Sequence, residues 1–145
     1  MGGLEPYDWA YLAGMIDGEG TITTGSKGRI FSIRVYQKDR RVLDYLCQTF
    51  GVGNVRKIGD QSHTINGRVY PYSGHVWHVA ALIEVWWMIK GILPYLHVKK
   101  EKAESALLNL ETHFCELNQR TRKRGGLKVK SVADQVWPNI LPKKE

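Results

Sequence analysis

Glu19 stands between two glycines, Gly18 and Gly20, at the end of a helix-forming apolar segment, residues 11–22, and Gly14 lies one helical turn before Gly18. Glycine in a helix interior costs about 1 kcal/mol relative to alanine, so a helix that keeps two needs a return in packing or chemistry. Residues four apart share a helix face, which puts Ala10, Gly14 and Gly18 in one stripe with Ala13 and Asp17 beside it. Side chains this small let a second helix backbone come close. That helix belongs either to a second copy of the chain or to the same chain, and the pattern alone leaves both open. The end of a helix already carries partial negative charge, so the Glu19 carboxylate is unfavourable there without a cation. Two such helices side by side would bring two carboxylates together, an oxygen-rich focus suited to a hard divalent ion, above all Mg2+. The plainer alternative makes Asp17 and Glu19 solvated turn residues.

The rest of the chain is basic, with a formal net charge of +7 and a pI near 9.5. That balance points to a polyanionic partner, most economically nucleic acid, although an anionic membrane surface also fits. A hydrophobic content of 43% predicts a folded chain. The longest nearly apolar run, 76–96, contains His78, Glu84, Lys90 and Pro94 and is no membrane span. Pro6 spoils a myristoylation signal and no secretory signal is visible, so the protein is expected inside a cell, in cytoplasm, nucleoid or organelle, and not secreted. Cys47 and Cys115 lie in helix-like stretches without a CxxC, which predicts two buried thiols. His75 and His78, three apart on a strand, point to opposite faces and do not suggest zinc. No phosphate-binding loop, dinucleotide fingerprint or nucleophilic triad signal is present.

These residues must be positioned by elements that the hydrophobic pattern locates. Pro6 near a start and Asp8 as a cap open a helix through about Asp17. Two β-branched runs, GTITTG and GRIFSIRVYQK, separated by Gly25-Ser26-Lys27-Gly28, read as a hairpin. In the second run Phe31, Ile33 and Val35 point one way, and Ser32, Arg34, Tyr36 and Lys38 the other. Val42, Leu43, Leu46, Cys47 and Phe50 have helical spacing that stops at Gly51. A second hairpin, 54–65 and 68–80, turns at Asn66-Gly67, and Pro71 implies an edge or bulge within it. Helices over 81–90 and 95 to about 117 follow, parted by Gly91 and Pro94, then a basic loop and a short helix ending at Pro138. The order is αββαββα, an α+β fold with helices on one face of an antiparallel sheet and the other face uncovered. Residues 1–145 are read as one domain, with a core of about 7–117 and a basic loop and extension over 118–145.

The run LAGMIDGEG resembles the signature of the LAGLIDADG homing endonucleases, matching it at Leu12, Ala13, Gly14, Ile16, Asp17 and Gly20, with Met15, Gly18 and Glu19 as variants. The family's domain has the same element order, and a single-motif chain of this size resembles its homodimeric members, paired through the motif helix. The resemblance makes Glu19 the catalytic metal ligand, with the backbone carbonyl of Gly18 as a further ligand. It also matches Gln37, at the end of the second strand, to a position that holds a metal-bound water, and Lys99, at the start of the long helix, to one that stabilises charge on the phosphate. Arg40 or Arg41 would assist, but the spacing after Lys38 is shorter than in the family and does not choose between them.

A two-stranded β-ribbon fits the DNA major groove, where all four base pairs can be told apart. The uncovered face would supply Thr21, Thr23, Ser32, Arg34, Tyr36, Lys38 and Arg56. The hairpins would add Lys27, Arg29, Arg68, Tyr70 and Tyr72. Arg34 and Arg56 are the candidates for base contacts, since a guanidinium grips guanine with two hydrogen bonds. Lys57, Arg120, Arg122, Lys123 and Arg124 are candidates for phosphate, and Arg40 is a further DNA-binding candidate. The resemblance implies a homodimeric, Mg2+-dependent, site-specific double-strand DNA endonuclease, specified by a mobile intron or intein-like element, cutting a long pseudo-palindromic site and leaving short 3′ overhangs. Mn2+ is expected to substitute, and Ca2+ to support binding without cleavage. The alternatives are an RNA maturase assisting intron splicing and a non-cleaving DNA-binding regulator on the same fold.

Overall fold

The computed structural model describes residues 3–24 and 30–123. They form α1 (Pro6–Glu19), β1 (Gly20–Thr24), β2 (Phe31–Gln37), α2 (Arg40–Phe50), β3 (Asn54–Ile65), β4 (Arg68–Val79), α3 (Leu82–Ile92), a 3-10 turn (Leu93–Tyr95) and α4 (Lys100–Lys123). This is the expected αββαββα order, with the final helical stretch divided around Pro94. The chain divides into two compact units, 1–113 and 114–145. No helix among the described residues is long and apolar enough to cross a membrane.

The four strands form one antiparallel sheet in the order β1-β2-β4-β3. Alternation along β2 sends Phe31, Ile33 and Val35 into the core, each at most 2% exposed. Leu12, Ala13 and Ile16 of α1, Leu43, Leu46 and Phe50 of α2, and Val85, Met88, Ile89 and Ile92 of α3 are buried too. Trp77 is fully buried on β4, and its indole N–H donates to the Val52 carbonyl at 2.9 Å, so its polar atom is satisfied where its ring is dry.

The second hairpin turns at Asn66 and Gly67, both with positive φ (50° and 77°), as a type I′ turn requires. β4 pairs with β2 only from His75 to Val79, so Pro71, opposite Ser62 of β3, lies where β4 has no second neighbour. A missing N–H is harmless there. The ladder also slips between Ile58 and Gln61, the irregularity Pro71 led us to expect nearby.

Several expectations are corrected. Asp8 is not the cap of α1; Glu5 is, and the Asp8 carboxylate at the third helical position accepts from the Glu5 N–H at 2.9 Å. Helix α1 continues to Glu19, and α4 runs on through Lys123 where a basic loop was expected to begin at 118. Cys47 is half-buried and Cys115 exposed, so the pair are not two core thiols. Lys27 and Arg29, with the first hairpin's turn, lie outside the described residues, as do Arg124 and the expected last helix. The backbones of Tyr72, Arg120, Arg122 and Lys123 belong to β4 and α4, but their side chains lie outside the described residues.

Candidate active site and nucleic-acid interface

The end of α1 is tied to the start of α4 by two residues acting in opposite directions. The Asp17 carboxylate accepts from the backbone N–H groups of His97 (2.8 Å) and Lys99 (2.9 Å), which precede the first turn of α4. Lys99 returns the contact: its ammonium donates to the carbonyls of Ile16 (2.6 Å), Asp17 (3.1 Å) and Gly20 (2.6 Å). A cation at a helix C-terminus and a carboxylate at a helix N-terminus each oppose the local dipole charge. Burial alone would push the Asp17 carboxyl up, but the N–H groups of His97, Lys99 and Val98, with the charge of His97, outweigh it and hold the carboxyl below its usual range. Gly20 closes the arrangement. A Cβ there would sit 2.5 Å from the Ile16 Cα, so only glycine lets β1 leave α1 this tightly.

Glu19 is exposed at this helix end. The carbonyls held by Lys99 are those of Ile16, Asp17 and Gly20, and that of Gly18 is not among them. One carboxylate and one carbonyl form a hard oxygen donor set, but an incomplete one. No group of three or more His, Cys, Asp or Glu side chains able to hold a metal ion occurs among the described residues, so further ligands must come from backbone, water or a second copy.

The small-residue stripe resolves into two parts. Ala10, Gly14 and Gly18 are exposed, and a Cβ built on either glycine meets nothing within 4 Å. No helix of the same chain packs on them among the described residues. Ala13 is fully buried in its own core, and Asp17 is committed to His97 and Lys99, so these two are not part of the exposed face. Their places are taken by Tyr7 and Tyr11, 68% and 47% exposed.

On the sheet's far side the register aligns Thr21, Arg34, His78 and Asn54 across all four strands, and Tyr36, Val76 and Arg56 in the next row. Arg34, Tyr36, Arg56, Lys57 and His63 line a cleft of about 590 Å3. The position of Ser32 corrects its assignment. It shares this face by alternation but is only 3% exposed, so it is not a surface contact.

A model of the LAGLIDADG-like domain matches residues 6–80, more than half of the chain. The chain belongs to this LAGLIDADG family. No curated protein matches it. Among solved structures, the homing endonuclease I-CvuI in complex with its target is 21% identical, with a TM-score of 0.56 over 73% of this chain and 67% of that one. An archaeal intron-encoded homing endonuclease complexed with DNA is 17% identical, with a TM-score of 0.55 over 71% of this chain and 66% of that one. I-SmaMI bound to cleaved DNA is 21% identical with a TM-score of 0.50 over 99% of this chain, which spans about half of that protein (52%). At these identities the likeness shows the shared fold.

Within the LAGLIDADG fold, Gly20 pairs with Val35, so Glu19 immediately precedes the first rung of the β1–β2 ladder. Gln37 is half-buried at the end of β2, and the register places it opposite His75, whose Nδ1 lies 3.1 Å from the Lys38 carbonyl. Lys99 makes a contact that its resemblance did not imply: its ammonium donates to three carbonyls and holds the α1 terminus. Arg40 pairs with Asp44, and Arg41 with Asp39, which lowers the Asp39 carboxyl to about 2 through the Arg41 side-chain hydrogen bond and then its backbone N–H. Thr21 and Thr23 are half-buried, whereas Lys38, Arg56, Arg68 and Tyr70 are exposed. Sequence reasoning missed the role of Asp17 and the presence of His78 beside Arg34. Asp17 carried a signal, an acid beside a helix end. The neighbour of Arg34 depends on a long-range register no local pattern encodes.

Proposed function

We propose that the chain is a site-specific double-strand DNA endonuclease that works as a homodimer through the exposed face of α1, with Mg2+. The observation that carries this reading is that Gly14 and Gly18 face open space on the same helix that ends in the exposed Glu19. In the dimer, Glu19 and the Gly18 carbonyl of each copy would hold the ion, which when bound supplies an acidified water and neutralises charge on the phosphate. Lys99 and Asp17 fix the helix end that carries Glu19 and the Gly18 carbonyl, which limits the reorganisation needed as DNA arrives. Gln37, at the end of β2, orients water by its amide. The cleft around Arg34 and Arg56 receives DNA, with phosphates drawn by the net charge of +7. A two-fold dimer reads a pseudo-palindrome and cuts both strands, leaving short 3′ overhangs.

The test is to incubate the protein with duplex DNA spanning its own gene's insertion site, intact, in Mg2+, Ca2+ or chelator, and to follow sedimentation in parallel. A dimer that makes one double-strand break in Mg2+ and only binds in Ca2+ supports the proposal. A monomer, or binding without cleavage in every metal, overturns it; selective binding of intron RNA in place of DNA would favour a maturase.

A further inference from the structure

Two buried side-chain nitrogens on the sheet's open face lack a hydrogen-bond partner, Arg34 Nε and His78 Nε2. The two residues are direct partners in the β2–β4 ladder. Side chains so placed stand about 4.5–5.5 Å apart at Cβ, within reach of one another. Their chemistry is complementary: arginine Nε–H can only donate, and imidazole Nε2 can accept when the ring is neutral with its proton on Nδ1. A buried donor and a buried acceptor left side by side are both penalised, and a small rotation satisfies both.

We propose that His78, as the neutral Nδ1–H tautomer, accepts a hydrogen bond from Arg34 Nε and so aims the Arg34 guanidinium away from the sheet, with its terminal amino groups free for the paired acceptors of a guanine edge. His78 is a positioning residue for base recognition; it does not touch the base. The inference rests on the proposal that this face receives DNA. The charged groups facing His78 are Arg34 from β2 and Arg56 from β3, with uncharged Asn54 opposite it and uncharged Thr21 of β1 beyond Arg34. Burial first, and then the charges of Arg34 and Arg56, hold its imidazole below the ordinary value of 6.5, which keeps the accepting lone pair available at neutral pH. Protonation would remove the acceptor and set a third cation against two guanidinium groups.

Two experiments on the full chain separate the pairing from the DNA reading. In the free protein, long-range 1H–15N spectra of His78 are expected to show the Nδ1–H tautomer, and Arg34→Met to abolish that preference and raise the titration point. An Nε2–H tautomer, or a titration indifferent to Arg34→Met, overturns the pairing whatever the protein binds. Selection from randomised duplexes in Ca2+, at about pH 7.5 and at a pH below the His78 titration point found in the free protein, tests the role. Acidification of the wild type, and His78→Phe at both pH values, are expected to cut guanine preference about tenfold at one symmetric pair of positions, while His78→Gln, a non-titrating acceptor, keeps it at both. Unchanged preference in His78→Phe overturns the positioning role. If no variant selects any sequence while the tautomer is as expected, the DNA reading fails and takes the recognition half of this inference with it.

Discussion

The end of α1 and the open face of the sheet handle charge in contrary ways. Asp17 and Lys99 direct theirs at the backbone of their own chain, closing five hydrogen bonds between two helix ends. Arg34 and Arg56 make no ion pair among the described residues and line the cleft. Charge satisfied within the fold fixes geometry, and charge left over is available to a partner. Glu19 stands at the border of the two regimes, on a rigidly held helix end but exposed. Lys99 stands beside it, its ammonium held by three carbonyls of the same helix end.

The sharpest test of the contrast is Glu19→Gln, which keeps shape and removes one negative charge per copy. Cleavage should fall to background in single-turnover assays, while DNA binding without metal persists or tightens, because the carboxylate no longer repels phosphate. Loss of folding together with binding would move Glu19 to the structural side.

Lys99→Met should come next. Three charge-assisted bonds at half-buried carbonyls are lost, and we expect a drop of about 3 kcal/mol in denaturant unfolding together with weaker Ca2+ binding. A variant of normal stability but slow cleavage would return Lys99 to the phosphate. Asp17 supplies the pH arm. Its folded carboxyl lies below the usual range, so its contribution is present in full above that range and is lost as pH falls through the lowered value. Asp17→Asn should therefore narrow the stability gap between neutral and acidic solution, read as melting temperature against pH.

Gly14→Leu should cost about 1–3 kcal/mol of association by overpacking the helix contact, giving a monomer in sedimentation with a monomer fold unchanged, since nothing lies within 4 Å of that position. Arg34→Ala should relax discrimination at one symmetric pair of bases by about 1–3 kcal/mol and leave melting unaffected. The smallest effect belongs to Arg40→Ala: its pair with Asp44 is exposed, and stability should change by less than about 0.5 kcal/mol.

How much of this was legible in the sequence depended on the range of the interaction. Element order, the core parity of Phe31, Ile33 and Val35 and the Asn66-Gly67 turn are set by neighbours a few residues apart, and these the pattern gives directly. The burial of Ser32 was not legible, because alternation assigns a face but not what covers it. Ala13 was misplaced for a related reason: a small residue beside a glycine stripe fits an interface as well as a core, and only the packing of α1 decides. The clamp joins residues about 80 positions apart, where periodicity says nothing.

β3 and β4 are 12 residues each, but β2 supports β4 only over its last five paired positions, His75 to Val79. The remainder is a two-stranded arm whose tip side chains, Ile65, Val69 and Tyr70, are 59%, 64% and 49% exposed. Substitutions at these exposed tip positions are expected to have stability effects that add to those of distant core residues. The arm can therefore vary while the fold stays put. That separation gives selection a part it can rewrite at little risk to the part that must not change.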